Sequence, residues 1–395
     1  MSLIAGIVKA AIASYLLIRV PFMIVFNRRR TSRYRPGTLS VGLLLGALCS
    51  APALAESQQE ILLFPSIDTF DPFDESDPTA VDSFQRASLN VVYSFSGDKF
   101  RFLGEYLWSS SEAELERLKA GWQFQDNTLL WLGRYHATAK YWTSEYHHGQ
   151  FLQTSITRPS LEEWEDESGP TPSHVTGFSL EHDYQREDES AWSFAFSAGL
   201  TAKFEGEELA PFDFFEPHSG HGPGVNFKVT YRPEFLSSLQ AGFLSAWHEI
   251  RVVSESSPSL ADLNEIKQLT VGGFVDWRWK DFRLISSVVH FENELDYVDG
   301  LVSDTFLLTY VQFEYGINDD FTFFGRTDNG FDEDQSPYLR LLPGFIAHRH
   351  MLGLRWDVAS FHSLTVEVAD TSQQGDNSEH DHFKEIRFQW SAVFP

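Results

Sequence analysis

Hydrophobic and polar residues alternate along most of the chain. The final stretch, EIRFQWSAVFP, places Ile386, Phe388, Trp390 and Phe394 on one face of an extended segment and mostly polar side chains on the other. A period of two predicts β-strands. About 15 alternating segments lie between residues 86 and 395, and no amphipathic helix of ten residues separates them. The pattern indicates an all-β protein.

The connections between predicted strands alternate between tight turns, such as Gly97-Asp98 and Asp126-Asn127, and long loops. Outer-membrane barrels have short turns on one rim and long loops on the other, whereas a Greek-key sandwich has no reason to keep this parity. The sequence therefore predicts a transmembrane antiparallel up-and-down β-barrel with its apolar face toward lipid. The predicted long loops are Ala137–Ser173, Ala202–Gly222, Ser254–Glu265, Asn293–Gly300, Asn329–Gly344 and Asp370–Asp381.

The same parity gives a strand count. If the last strand descends to the turn rim, the strand that contains Leu89 also descends, so an ascending strand must precede it. Gln59–Ile67 is the candidate, and the acidic stretch DTFDPFDESDPTA would form the first loop. We expect about 16 strands, with 14 or 18 as the alternatives.

The amino-terminal region reads as a leader for export. Five arginines from Arg28 to Arg35 precede an apolar run, Val41–Leu48, and Ala53-Leu54-Ala55 is a small-residue cleavage site. The apolar run is too short for a bilayer span of about 20 residues. We expect residues 1–55 to be a leader cleaved after Ala55, with translation starting at Met1 or Met23. Residues 56–85 would hold the first strand, and residues 86–395 the rest of the barrel.

Composition and charge narrow the function. Aromatic residues make up 15% of the chain, and its formal net charge is −26. Nucleic acid is an unsuitable partner, because phosphate binding needs basic stripes. The single cysteine, Cys49, lies in the leader and leaves no disulfide framework.

The alternating segments and the last strand support a resemblance to a known class of proteins. Residues 86–395 resemble Gram-negative outer-membrane porin-like proteins, and the last strand is similar to the assembly signal of such barrels, with Phe388, Trp390 and the terminal aromatic Phe394; here Pro395 follows it. The resemblance implies a bacterial outer-membrane channel for passive diffusion of small polar solutes. It also implies contact with lipopolysaccharide, recognition by the barrel-assembly machinery and a homotrimer. We expect no cofactor.

The longest predicted loop, Ala137–Ser173, is the third and carries an acidic run. In general porins the third loop folds into the lumen, so the resemblance implies a constriction where loop acids face wall arginines. The alternative is that the acids form a solvated loop face and that the arginines pair with wall carboxylates. The acids are Glu162, Glu163, Glu165, Asp166 and Glu167, and the candidate pore-lining residues are Arg101, Arg134, Arg278, Arg326, Arg355, Arg387, Glu105, Asp276 and Asp357.

Acidic vestibules concentrate cations, so we expect mild cation preference. Two other functions stay open: a non-conducting barrel whose loops bind a metal or a surface ligand, and an outer-membrane hydrolase. We expect no enzymatic activity, because the sequence places no nucleophile, base and orienting residue within reach of one another. Loop histidines lack a fixed ligand geometry, and we expect no metal site among them; they are His147, His148, His218, His221, His380 and His382.

Overall fold

A computed structural model describes residues 57–395 except 74–81, 111–112, 147–149, 213, 215–219, 235–237, 254–259, 261 and 376–379. The predicted leader lies outside these residues. The strands are β1 (Gln58–Phe73), β2 (Phe84–Ser96), β3 (Phe100–Ser109), β4 (Ala113–Gln125), β5 (Thr128–His136), β6 (His174–Gln185), β7 (Ala191–Leu200), β8 (Lys203–Glu205), β9 (Glu208–Ala210), β10 (Pro223–Arg232), β11 (Leu239–Val253), β12 (Leu263–Trp279), β13 (Phe282–Tyr297), β14 (Gly300–Gly316), β15 (Phe321–Phe331), β16 (Ile346–Ala359), β17 (His362–Gln374) and β18 (His380–Ala392).

Antiparallel pairing of neighbouring strands closes a 16-stranded up-and-down barrel. β1 pairs with β2 on one side and with β18 on the other, which forms the closing seam. The short strands β8 and β9 pair as a hairpin within a loop and are not wall strands, so β7 pairs directly with β10. The predicted fold class and the count of 16 are confirmed.

Several predicted boundaries are wrong. β1 continues six residues past Ile67 to Phe73, so the first loop is shorter than predicted. The predicted loop Asn293–Gly300 is mostly strand, because β13 and β14 stay paired as far as Tyr297 and Gly300. Its polar residues Asn293, Glu294 and Asp296 lie on the ladder itself. Polarity alone therefore does not mark a loop in this barrel, since strands extend beyond the apolar band.

Helices are short. The helix α1 (Tyr141–Tyr146) lies in the third loop. No helix in the described part of the chain is long and apolar enough to cross a membrane. The 3-10 helices are Gln150–Leu152, Ser160–Glu162, Glu165–Glu167, Glu333–Gln335 and Leu339–Leu341.

The outward face of the barrel is apolar and aromatic. Trp108, Trp122 and Leu132 expose 64%, 49% and 59% of their surface, values that a soluble protein would rarely tolerate over so many positions. This band is what lipid contact requires of a barrel. At the end of the chain, Phe394 exchanges two backbone hydrogen bonds of 2.9 Å with Leu63 of β1, which extends the closing seam.

Part of the inward face, formed by four of the sixteen wall strands, is also apolar. β11–β14 direct Leu244, Ile266, Phe291 and Tyr310 into the barrel, where each is nearly or fully buried. Side chains from the loops complete this interior cluster, which we call the inner core. The loop members include Trp142, Leu161, Phe204, Leu209, Leu260, Tyr338 and Leu342.

Candidate functional site

The third loop on the long-loop rim, described for residues 137–146 and 150–173, folds into the barrel; we call it L3. Its helix α1 buries Tyr141 and Trp142 in the inner core. The Tyr141 ring stacks on Phe274 with centroids 4.2 Å apart, and its hydroxyl donates to Asp276 at 2.8 Å. Burial of these two large rings holds L3 against the β11–β14 part of the wall.

Arg326 on β15 fastens the middle of L3. Its guanidinium donates to the carbonyl oxygens of Thr157 at 2.8 Å and Arg158 at 2.7 Å, and to the Thr157 hydroxyl at 2.9 Å. Asp328 lies 3.2 Å from the same guanidinium, and both side chains are fully buried. The Arg326 guanidinium therefore binds the backbone of L3 and does not face the acidic run.

Two more strands hold the same segment. Arg355 on β16 donates to the carbonyl oxygens of Phe151 and Gln153 at 2.8 and 2.6 Å. Glu367 on β17 accepts from the backbone N–H groups of Ile156 at 2.9 Å and Thr157 at 3.2 Å. β16 therefore binds backbone carbonyl groups of L3, and β17 binds backbone N–H groups of L3.

Lys140 closes L3 on itself. Its ammonium donates to the Glu163 carbonyl at 2.7 Å and to the Ser173 hydroxyl at 2.6 Å, so it joins the start of the loop to its end. Burial lowers the pKa of Lys140 to about 8, although Glu162 and Glu165 oppose the shift. Lys140 therefore holds the first and last residues of L3 next to each other at the base of the loop.

The acidic run does not form one surface. Glu162 and Glu165 are fully buried, and Glu162 accepts from Thr143. Glu163 and Asp166 are half-buried, whereas Glu167 is exposed and pairs with an arginine of β2 at 2.9 Å. Neither of the two interpretations from sequence describes all five acids, because Glu162 and Glu165 are buried while Glu167 is exposed.

Burial sets the ionisation of these loop acids. It raises the pKa of Glu163 to about 7, an effect that Glu167 adds to and Arg158 opposes. Burial and several neighbouring acids raise the pKa of Asp166 well above its usual range. For Glu165 burial acts in the same direction, but the charge and hydrogen bonds of His174 hold the pKa below its ordinary value.

A cavity of about 310 Å³ lies between L3 and the opposite part of the wall, formed by β1–β4, β16 and β18. We call it the side cavity. Its basic lining consists of Arg86, Arg158, Arg349 and Arg387, and its acidic lining of Glu114, Glu116, Glu163, Asp166 and Glu167. The cavity therefore holds opposed charges at close range.

The predicted wall residues divide into groups. Arg387 lines the side cavity and pairs with Glu385 at 2.7 Å. Arg134 pairs with Glu114 at 2.5 Å and donates to the Phe212 carbonyl of the fourth loop. Three of the predicted pore-lining arginines thus bind loop backbone: Arg134, Arg326 and Arg355.

The remaining predictions lie elsewhere on the inward face. Glu105 is buried in an ion pair with Arg117, and Asp276 is buried in a bidentate pair with Arg283. Asp357 pairs with Arg355 at 2.8 Å. Arg101 and Arg278 lie near the turn rim, where Arg101 donates to Gln123 and Arg278 is exposed. The role of these five residues as pore-lining residues stays a prediction.

Sequence reasoning missed three arginines of the side cavity: Arg86, Arg158 and Arg349. Arg86 precedes the first clear alternating segment, and Arg158 lies within a loop, so strand parity could not place either of them. Arg349 pairs with Glu385 at 3.3 Å and belongs to β16, in the RHMLGLRW stretch. Parity with Arg355 and Asp357 would have put Arg349 on the inward face.

One group of described residues has the spacing of metal ligands. Glu116, His136 and His174 are buried, and one donor atom from each lies within 4.8 Å of the other two. Of the histidines considered from sequence, His147, His148 and His218 lie outside the described residues. His221 bonds the Thr201 carbonyl and His380 approaches Ser372, so neither joins this group.

Comparison with known proteins shows the fold. The chain is similar to the outer-membrane channel DcaP of Acinetobacter baumannii, with 12% identity and a TM-score of 0.55 over 87% of this chain and 99% of that one. It is also similar to an anion-selective porin of Comamonas acidovorans, with 11% identity and a TM-score of 0.58 over 86% and 100%. The trimer form of OmpT of Vibrio cholerae gives 9% identity and 0.55 over 86% and 99%.

No protein-family model matches the chain, and no curated protein does so either. At these identities the structural similarity concerns the fold alone. The chain has the porin-like β-barrel fold of bacterial outer-membrane proteins, as the resemblance implied.

Proposed function

We propose that the chain is an outer-membrane channel for passive diffusion of small polar solutes and ions, with mild cation preference. The observation that carries the proposal is the side cavity, a polar space of about 310 Å³ beside L3, which is bound by side chains of β15, β16 and β17. Because the inner core occupies the β11–β14 side of the barrel, solutes would pass on the side of β1–β4, β16 and β18.

The charges around this space support selection by charge. Arginines of β2, β16 and β18 stand near the acids of L3 and β4, so a solute in the cavity would experience a transverse field. Four arginines face five acids there, and the net charge of the chain is −26. The net negative charge of the chain concentrates cations near the passage, and this favours cations over anions.

Planar-bilayer recording of the refolded protein under a KCl gradient tests the proposal. We expect stepwise single-channel currents and a reversal potential biased toward K⁺. A chain that is folded, judged by heat-modifiable migration on a gel, yet carries no current would contradict it. A reversal potential biased toward Cl⁻ would contradict the cation preference while leaving the channel in place.

A second candidate is a closed barrel whose loops bind a ligand. The observation in its favour is the inner core, in which residues of L3 and of three other loop-rim connections pack together inside the barrel. The bilayer recording separates the two, because a closed barrel gives no current with the native loop. Release of L3 from its wall contacts would then be needed before current appears.

We also propose a homotrimer, since one similar structure is described as a trimer form. Molar mass in detergent, measured by light scattering with correction for bound detergent, checks this assembly. A mass of three chains is expected, and a mass of one chain would overturn the proposal.

A further inference from the structure

Three adjacent strands bring two histidines and a glutamate together at the base of L3. His136 ends β5 and His174 begins β6, and the two residues are direct partners in the ladder. Their ring centroids are 5.1 Å apart. Glu116 of β4 completes the group, with its carboxylate 3.0 Å from His174 Nε2. Donor atoms of all three residues lie within 4.8 Å of one another.

A β-bulge places Glu116 in this position. The pairing of β3 with β4 shifts between Glu105 and Tyr106, because Glu105 is opposite Arg117 and Tyr106 is opposite Leu115. Glu116 is the extra residue, and both Glu116 and Arg117 are buried although they are neighbours in sequence. Bulges re-aim side chains and are frequent beside functional sites.

Glu165 of L3 supplies the contact that a metal-binding histidine usually has. Its carboxylate lies 2.8 Å from His174 Nδ1 and also accepts from the Ser173 backbone N–H at 2.5 Å. A ligating histidine almost always uses its second nitrogen in this way, which fixes the ring so that Nε2 points at the ion. Here Nε2 points at Glu116.

The surroundings of the three residues are aromatic and mostly acidic, although the Arg134 guanidinium also acts on His174. The Trp164 ring stacks on His174 with centroids 5.4 Å apart, and its distance to the His136 ring is 5.2 Å, so one side of the group is covered. Glu114 and Asp166 lie close enough to Glu116 to interact electrostatically. Two imidazoles and a carboxylate fill three of the four positions of a tetrahedral metal site.

We propose that Glu116, His136 and His174 bind a divalent transition metal ion of the Zn²⁺ class. Imidazole and carboxylate donors in this number suit Zn²⁺, and water would occupy the fourth position. Glu116 and His174 also line the side cavity, so an ion can reach the site from that space. Bound metal would join β4, β5 and β6 to L3, because Glu165 holds His174 from the loop side.

Zinc binding to the refolded full-length mature barrel tests the proposal. The protein is first treated with EDTA and dialysed, and Zn²⁺ alone is then titrated by calorimetry in detergent. We expect one high-affinity equivalent per chain. His174→Gln and His136→Gln should each weaken this binding by about 100-fold or more, and Glu165→Gln by about 10–100-fold, the range seen for outer-shell partners.

His348→Gln is the matched control. His348 also contacts a carboxylate, Glu333, at 2.8 Å, but it is 39% exposed and belongs to a different part of the rim. The control variant should bind Zn²⁺ as the parent does. Heat-modifiable migration verifies that each variant is folded. For a variant that does not fold, X-ray absorption of the parent loaded with one equivalent of zinc gives the same information, with two imidazoles in the first shell expected.

Three outcomes would overturn the proposal. The parent could bind no zinc stoichiometrically, or His174→Gln and His136→Gln could bind it as tightly as the parent. Absorption data without two imidazoles would have the same meaning. Binding retained in those variants would assign the ion to histidines elsewhere in the sequence. None of these outcomes depends on whether the barrel conducts.

Discussion

Replacement of Arg326 by alanine should release the middle of L3 from the wall. Arg326 makes three hydrogen bonds of 2.7–2.9 Å to L3, and its loss also leaves Asp328 buried without its ion-pair partner. Charge-assisted hydrogen bonds contribute about 1.5–3 kcal/mol each, but losses within one network do not add. Removal of one partner from a buried pair costs about 3–5 kcal/mol, which we take as the expected loss of docking free energy.

Hydrogen exchange at the backbone amides of Ile156 and Thr157 reports on docking, because Glu367 holds both of them only while L3 is in place. Every 1.4 kcal/mol corresponds to a factor of ten, so 3–5 kcal/mol predicts exchange faster by roughly a hundredfold to a few thousandfold. The single-channel current should rise in the same variant, since the loop no longer limits the opening.

Two further variants sharpen this test. Arg326→Lys keeps a positive charge beside Asp328 but lacks the planar fork of donors that reaches Thr157, Arg158 and Asp328 together, so exchange should lie between that of the parent and that of the alanine variant. Arg278→Ala removes an exposed inward-facing arginine near the turn rim and should leave exchange unchanged. Slow exchange at Ile156 and Thr157 in folded Arg326→Ala would refute the idea that this side chain holds the loop.

Three more predictions follow from the side cavity and the strands beside it. Arg86→Glu should move the reversal potential under a KCl gradient further toward K⁺, whereas the exposed turn-rim variant Arg186→Glu should not; equal potentials for both would exclude Arg86 from the passage. Because burial raises the pKa of Glu163 to about 7, its carboxyl gains negative charge as the pH rises through neutrality, so cation preference should increase with pH; persistence of that pH dependence in Glu163→Gln would contradict this assignment. Gly133→Ala should destabilise the barrel by about 1–3 kcal/mol in urea unfolding, because Gly133 has φ 135° and an added Cβ would meet the backbone of β4. Gly104→Ala is the control, because a Cβ at Gly104 has room. Equal urea midpoints for the two variants would argue against strain at Gly133.

Alternation along the strands was enough to predict the fold because lipid imposes a strict period of two on the outer face. Trp122 and Phe388 could be assigned to that face from sequence. The predicted loop Asn293–Gly300 failed because the strands extend past the apolar band. The inner core could not be foreseen either, since the inward-facing Leu244 and Phe291 read in sequence like any other apolar positions.

The candidate metal group was only partly visible in the sequence. His136 and His174 directly flank the predicted loop Ala137–Ser173, and strands on either side of a loop pair at its base, so their proximity could have been deduced. Glu116 could not, because its position depends on a bulge in β4 that shifts the register by one residue. Gly133 similarly changes the alternation locally: Leu132 is 59% exposed while Arg134 is buried, although they are two positions apart and would share a face of a regular strand.

The position of the side cavity makes the proposed passage depend on closure of the barrel. Its lining comes in part from β1, β2 and β18, the strands on either side of the closing seam. If all the strands were formed but β1 and β18 were not paired, the side cavity would lack one of its walls. The opening therefore comes into existence only when the first and last strands pair. Substitutions at the seam, such as at Arg387 or Phe64, are then expected to alter insertion efficiency and solute flux together.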